Sequence, residues 1–310
     1  MDVVTKPRLL DEVRQVLRRN HYSLRTEKSY LYWIRFYIRF AGRRHPRELG
    51  PEEVERFLTW RATVRRVAAS TQNQALSALL FLYQRVLRLE FPRLGKFERA
   101  KQPVHLPTVL TCDEVRSVFA HLDGSVLLIA RLLYGGGLRL LEALRLRVKD
   151  LDFEQRQLMI RDGKGAKDRV TMLPESVIPA LKVHLEKVRV LYEHELVKGT
   201  ADVWLPYALA RKYPRAAQEW GWQFVFPARE RSRDPETGAV RRHHIHEKTM
   251  QRAIKMAVQR AELVKPEFSV QARGRCHGLK ISSRNLPFVK LCELDLSGDA
   301  TLAKHVAAGL

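Results

Sequence analysis

The chain is poor in cysteine, acidic side chains and long apolar runs, and each scarcity argues against a class of protein. Its 310 residues contain only three cysteines, Cys112, Cys276 and Cys292, and no Cys-x-x-Cys pair. We therefore predict free thiols rather than a disulfide framework or a structural zinc site. No stretch approaches eighteen uninterrupted apolar residues, and the first residues lack the apolar core of a signal peptide. These features predict a cytosolic protein without a membrane span.

Acidic residues are outnumbered by basic ones, with 34 Asp and Glu against 56 Lys and Arg, which gives a formal charge of +22. This excess is larger than solubility requires, and it indicates a polyanionic partner. Nucleic acid is the favoured partner, because basic residues run through the predicted helices as they do in proteins that bind phosphate backbones. An anionic membrane surface is the alternative. With 45% hydrophobic residues, the chain can bury one large core or two medium ones.

The first 90 residues have apolar side chains at helical spacing, which predicts a module of four helices. Ser23 precedes the second helix and Gly50-Pro51 opens the third, as expected of helix starts. Residues 91–107 then combine prolines with lysine and arginine and lose the apolar pattern. We therefore predict a helical unit over residues 1–90 and a basic linker over 91–107.

A second unit of mixed helix and sheet is predicted from residue 108. Thr111 and Glu114 have the spacing of a capping box at a helix start. Further helices are predicted over residues 126–133, 138–147, 174–197 and 247–261. Residues 151–161 and 169–173 form two predicted strands joined by a glycine-rich tip, which is typical of a hairpin. The predicted class is mainly α with a small antiparallel β-sheet (α+β).

Two basic side chains next to glycines are candidates for binding an anionic oxygen. Arg139 opens an apolar helix directly after the glycines at 135–137, where backbone N–H groups face outward. Lys164 lies between two glycines at the hairpin tip, from which it can reach a neighbouring cleft. Each also has a plainer interpretation. Arg139 fits an ordinary buried helix with a glycine-rich entry, and Lys164 fits a solvated tip.

In this order, after a basic helical module and a linker, these motifs resemble the tyrosine-type site-specific DNA recombinases. Residues 21–27, 69–83 and 146–153 resemble the integron integrase branch of that family. Residues from about 200 to 247, with Phe224-Val-Phe-Pro and Arg241-Arg-His-His-Ile-His-Glu, resemble the additional segment peculiar to integron integrases. The resemblance extends from about residue 8 to about 266.

The resemblance implies a SAM-like core-binding domain over 1–90 and a catalytic domain over 108–266. It implies that Arg139 contacts the scissile phosphate, that Glu142 supports the site and that Lys164 protonates the leaving 5′ oxygen. Fixed cations would offset the charge on the phosphate while a tyrosine forms a covalent 3′ link. No metal or nucleotide cofactor is implied.

In the additional segment, the resemblance implies that Trp222, Pro235, His243 and His244 hold bases extruded from a folded single-stranded recombination site. An indole offers a stacking face for an unpaired base, and histidines add stacking or hydrogen bonds. For Trp204 and Trp220 we favour the plainer interpretation of core packing. A metal site at the histidines is disfavoured, because no cysteine or spaced carboxylate pair completes a ligand set.

The resemblance also implies partners and a location. The DNA partners would be a duplex attachment site and a folded single-stranded cassette site, bound by a homo-oligomer that is a tetramer in the family. The location implied is the bacterial cytoplasm, at the nucleoid.

The resemblance ends near residue 266. The family continues with a His-x-x-Arg box, a second His or Trp and the nucleophilic tyrosine, whereas residues 267–310 contain only His277 and Lys280 as a partial echo. The last of the nine tyrosines is Tyr213, so none follows the expected box. We therefore predict an incomplete catalytic domain that binds DNA without cleaving it, followed by an aberrant tail left by a frameshift or a replacement.

Three other functions stay open. The first is an active recombinase in which Ser282, Ser283 or Cys292 replaces the tyrosine, although a serine needs an activating base and the second arginine is missing. The second is a noncatalytic DNA-binding or interfering protein. The third is a general basic nucleic-acid binder.

Overall fold

Two compact units make up the chain, Met1–Val104 and His105–Leu310. The computed structural model describes residues 8–89, 108–161, 168–205, 209–234, 237–263 and 280–281. None of the helices in these ranges is both long enough and apolar enough to cross a bilayer. The predicted class is confirmed: both units are built mainly from helices, and the strands of the second unit pair antiparallel.

The four predicted helices of the first unit are confirmed. They are α1 (Leu9–Arg19), α2 (Leu24–Phe40), α3 (Pro51–Thr63) and α4 (Ala69–Phe81), the last continuing as a π-helix over Leu82–Val86. Ser23 caps α2 by accepting a hydrogen bond from the Thr26 N–H, and the Glu53 carboxylate accepts one from the Gly50 N–H before α3. Tyr37 and Phe57 are fully buried in the core, where the Tyr37 hydroxyl contacts that of Tyr83 at 3.0 Å.

The second unit places helices around three small sheets. Its helices are α5 (Cys112–Ala120), α6 (Gly124–Gly135), α7 (Leu140–Leu144), α8 (Ile178–Val197), α9 (Leu209–Lys212) and α10 (Glu247–Arg260). Its strands are β1 (Thr108–Val109), β2 (Leu151–Asp152), β3 (Gln157–Ile160), β4 (Arg169–Met172), β5 (Pro227–Arg233), β6 (Val240–His244) and β7 (Lys280–Ile281). The sheets are β1–β7, β2–β3–β4 and β5–β6. The Thr111–Glu114 capping box is confirmed at the start of α5.

The predicted hairpin is present, but its first strand is divided. A turn separates β2 from β3, where the Asp152 carboxylate accepts a hydrogen bond from the Gln155 N–H and Arg156 has a positive φ of 53°. The prediction of one strand over 151–161 was therefore wrong, because the apolar pattern does not reveal this tight turn. Strands β3 and β4 pair from Gln157↔Met172 to Ile160↔Arg169. The tip residues 162–167, including Lys164, lie outside the described residues.

Helix α7 is shorter than the predicted helix over 138–147. The chain leaves the helix because residues 146–148 hydrogen-bond to residues 223–225, in the segment of residues 200–247 that is here called the additional segment. The Leu146 carbonyl accepts a hydrogen bond from the Val225 N–H at 2.9 Å, and the Val148 N–H donates to the Gln223 carbonyl at 3.0 Å. A tertiary contact therefore overrides the local helical pattern.

Gly136, which follows α6, allows the end of that helix to approach β4 closely. A Cβ on Gly136 would lie 2.9 Å from the Leu132 carbonyl oxygen and 3.3 Å from that of Met172. The Thr171 hydroxyl donates a hydrogen bond to the Gly136 carbonyl at 2.9 Å. The glycine thus allows the end of α6 to lie close to the end of β4.

We expect Gly136→Ala to destabilise the second unit by about 1–3 kcal/mol, because the added methyl group meets two backbone oxygens. Calorimetric unfolding of the full chain measures this change. Gly221→Ala is the matched control, since its Cβ would meet the Lys149 side chain at an ordinary 3.5 Å. An equal effect of both substitutions would contradict the proposed close approach.

Candidate functional site

Arg139 caps the N-terminus of α7 in an extended conformation. Its backbone N–H donates to the Glu142 carboxylate at 2.8 Å. This N–H is therefore not available to an anion, because the carboxylate three residues later already accepts from it. The guanidinium group remains available, since the Arg139 side chain is 36% exposed.

Glu142 is the centre of a cluster with two arginines. Its side chain, only 8% exposed, accepts a hydrogen bond from Arg139 Nη1 and two more from Arg169, at 2.9 Å from Nη1 and 2.8 Å from Nη2. Burial alone raises the pKa of Glu142, but the hydrogen bonds from Arg169 and Arg139 outweigh it, so the pKa is lowered overall. Two cations around one anion leave a positive charge, which suits a phosphate.

Sequence reasoning brought Arg139 and Glu142 together correctly but missed Arg169. Arg169 is the first residue of β4 and pairs with Ile160 on β3. The cluster therefore lies at the ends of β3 and β4 that border residues 162–167 along the chain. Lys164 is one of these residues and lies outside the described part of the chain. Arg169 is identified as a partner of Glu142 only by the register of β4 and by the hydrogen bonds that join β4 to α7. The one available signal was a basic residue directly after the glycine-rich tip.

Arg147 joins the additional segment to the end of α7. It is buried, and its guanidinium donates to the backbone carbonyls of Trp222 and Trp204, the latter at 2.7 Å. The same group lies 4.4 Å from the Phe224 ring centroid. Burial lowers the pKa of Arg147 to about 10, which leaves it charged at neutral pH. Arg147 was not predicted as a site residue, and this arginine supports the segment rather than facing a ligand.

His243 and His244 are neighbours at the end of β6, with ring centroids 4.2 Å apart and each within 5.5 Å of the Phe224 ring. His243 is exposed and His244 is half-buried. Burial lowers the pKa of both, with Arg145 adding to the effect, and that of His244 falls to about 4. Both imidazoles are therefore neutral at pH 7, which suits stacking and hydrogen bonding with a base better than pairing with a phosphate.

The three tryptophans of the segment have different environments. Trp222 is half-buried against Phe224 and its neighbours, and the Lys149 amine lies 2.8 Å from its ring centroid. Trp220 is half-buried and packs against Tyr192, with ring centroids 5.3 Å apart, so it contacts other side chains without lying in a core cluster. Core packing was wrong for Trp204, which is 38% exposed. Pro235 lies outside the described residues.

A buried ion pair that the sequence did not reveal holds the histidine strand on α8. Arg242 donates to both carboxylate oxygens of Glu195, at 2.9 and 2.6 Å, and to the carbonyls of Ala228 and Arg229. His243 and His244 follow directly, so this pair determines where they lie. No group of three or more potential metal-ligating residues occurs in the described part of the chain.

The two candidate groups lie at opposite ends of α7. Arg139 caps its N-terminus, beside Glu142 and Arg169, whereas Arg145 caps its C-terminus and acts electrostatically on His243 and His244. One short helix therefore links the cationic cluster to the additional segment.

We expect Glu142→Gln to destabilise the second unit by about 3 kcal/mol, because two arginines then face a neutral amide in a buried setting. Urea unfolding measures the change. Glu175→Gln is the matched control, since Glu175 pairs with Arg156 at 2.9 Å but is 73% exposed, and it should stay within about 0.5 kcal/mol. Similar losses from the two variants would refute a structural role for the cluster.

The pH dependence of stability should also report Glu142. A carboxyl group whose folded pKa is lowered stabilises the fold fully above its unfolded pKa of about 4.3, and the stabilisation is lost as the pH falls through the folded pKa. The difference in melting temperature between the wild type and Glu142→Gln should therefore be constant from about pH 7 to 5 and shrink below about pH 4.3. A constant difference down to pH 3 would argue against the lowered pKa.

Comparison with known proteins shows which family the chain resembles over each of its two units. Residues 9–93 match the phage integrase N-terminal SAM-like domain, and residues 108–279 match the phage integrase family. Integrase/recombinases of Escherichia coli and Pseudomonas aeruginosa are each 49% identical over 259 residues, which cover 84% of this chain and 77% of theirs. Tyrosine recombinase XerA of Thermococcus onnurineus is 33% identical over 183 residues, covering 57% of this chain and 61% of its own.

Among solved structures, a lambda integrase tetramer bound to a Holliday junction has a TM-score of 0.53 at 14% sequence identity, covering 86% of this chain and 64% of that one. This similarity supports the fold alone. The family match over more than half of the chain and the two relatives at 49% identity establish the family itself. The chain belongs to the phage integrase family, the tyrosine recombinases of site-specific DNA recombination.

Proposed function

We propose that this chain is an integron integrase-type recombinase by descent, which binds its DNA sites but does not cleave them. The carrying observation is an assembled cationic cluster, Arg139–Glu142–Arg169, in a chain with no tyrosine after Tyr213. The cluster can hold a phosphate by charge and hydrogen bonds. A tyrosine recombinase without a downstream tyrosine has no nucleophile with which to form the 3′ link.

The proposal assigns a role to each candidate residue. Arg139 contacts the phosphate, Glu142 holds the Arg139 guanidinium and is itself held by Arg169, and Lys164 is the lysine of the hairpin tip. Trp222, Pro235, His243 and His244 contact bases extruded from a folded single-stranded cassette site. The lowered pKa of both histidines supports base contacts, because an uncharged imidazole has little electrostatic attraction to a phosphate.

The proposed partners are a duplex attachment site and a folded single-stranded cassette site, bound by a homo-oligomer. The proposed location is the bacterial nucleoid. The formal charge of +22 supports a polyanionic partner. A related structure is described as a lambda integrase tetramer bound to a Holliday junction, which supports DNA-bound oligomers as the form to test.

We expect the chain to bind a folded single strand with extrahelical bases at least about tenfold more tightly than a random duplex of equal length, at matched salt. Titration of labelled DNA at two salt concentrations measures both affinities. Arg139→Ala should weaken binding about tenfold, because it removes a charge-assisted contact. Equal affinity for both DNAs would instead support a general nucleic-acid binder.

Cleavage is tested separately with a nicked suicide substrate, which traps covalent protein–DNA adducts. We expect no adduct from this chain, whereas an intact relative run in parallel should give one. An adduct would revive the alternative in which Ser282, Ser283 or Cys292 acts as nucleophile.

Coexpression with the intact relative tests the interfering function. This function predicts that the recombination frequency is lower than with the relative alone.

A further inference from the structure

The backbone of Trp222 is held from the chain segment that follows α7. The short 3-10 turn Trp220–Trp222 packs against the 3-10 turn Val148–Asp150. The Val148 N–H donates to the Gln223 carbonyl at 3.0 Å, and Arg147 donates to the Trp222 carbonyl. These contacts fix the main chain of Trp222, but they leave the orientation of its indole ring to other groups.

The Arg147 guanidinium also lies over the ring, 5.5 Å from its centroid, and Lys149 lies closer still. Its amine nitrogen lies 2.8 Å from the centroid of the Trp222 ring. Its stem also runs beside the tryptophan turn, since a Cβ on Gly221 would lie 3.5 Å from the Lys149 Cβ. A cation over the face of an indole is attracted by the negative charge of that face, most strongly where water is excluded.

Lys149 is an exposed residue, but its amine lies against the ring and among other charged groups. Burial lowers the pKa of Lys149 to about 8, with Arg161 and Arg147 lowering it further and Asp150 and Glu219 opposing them. The amine therefore remains protonated at pH 7. Asp150 does not draw the amine away, because its carboxylate binds Arg161 at 2.8 Å and the Arg147 N–H at 3.0 Å.

We propose that Lys149 is a positioning residue for DNA recognition, which holds the Trp222 indole in the orientation that stacks on an unpaired base. This inference rests on the proposed function, in which Trp222 contacts an extruded base. In this proposal Lys149 occupies one face of the ring, and the base stacks on the part of the ring that Lys149 leaves exposed. Holding the ring beforehand reduces the conformational freedom that would otherwise be lost on binding.

The test compares two DNA hairpins that differ only in one extrahelical base, and it measures the ratio of their affinities at pH 7. The wild type should prefer the hairpin with the base about tenfold, and Trp222→Ala should abolish that preference. Lys149→Met keeps the stem and removes the charge, and we expect it to reduce the preference about threefold or more. Lys149→Arg should restore it, since a guanidinium also lies well on an indole.

Lys187→Met is the matched control, because Lys187 is an exposed lysine on α8 and its loss changes the net charge equally. It should weaken binding of both hairpins by the same factor and leave the preference unchanged. A 2-aminopurine at the extrahelical position gives a second readout. Its fluorescence should be quenched on binding by the wild type and by Lys149→Arg, and less so by Lys149→Met.

The outcomes separate this inference from the function on which it rests. If the wild type and Trp222→Ala show the same low preference, the proposed base contact fails, and the inference fails with it. If Trp222→Ala abolishes the preference while Lys149→Met behaves like Lys187→Met, only the role of Lys149 is overturned. A stronger preference in Lys149→Met would also overturn it, because the amine would then compete with the base for the ring.

Discussion

The buried carboxylate of Glu142 is the constraint on which the candidate phosphate site depends. It accepts hydrogen bonds from Arg139 on one side and Arg169 on the other, and so joins the start of α7 to the start of β4. A buried carboxylate needs such partners to remain charged, and each arginine in turn is held in place by it. Gly136 serves the same part of the unit, because a side chain there would meet backbone oxygens of α6 and β4.

Basic side chains have two distinct uses in the second unit. Arg147 and Arg242 are buried and donate to backbone carbonyls, and Arg242 also pairs with Glu195, so their charge stabilises the additional segment. Arg139 keeps a partly exposed guanidinium. The formal charge of +22 therefore overstates the positive charge that is exposed to DNA, because some of the arginines are buried inside the fold.

The additional segment offers a different kind of contact from the cationic cluster. Around Phe224 it groups the aromatic rings of His243, His244 and Trp222, and the two imidazoles are neutral at pH 7. The cluster is suited to a phosphate, whereas this surface is suited to the faces and edges of bases. Because α7 connects the cluster to this aromatic surface, a folded DNA strand that reached both would be bound at its phosphate backbone and at its unpaired bases.

The sequence by itself determined the features that depend on local spacing: the four helices of the first unit, the cap at Thr111, the second strand of the hairpin and the proximity of Arg139 to Glu142. These depend on hydrogen bonds and apolar periodicity within a few residues. Only the tertiary structure decided the shorter α7, the exposure of Trp204 and the partners Arg169–Glu142 and Arg242–Glu195, which lie 27 and 47 residues apart. The physical reason is that a buried charge selects its partner by proximity in the folded chain, and spacing along the sequence carries no record of that choice.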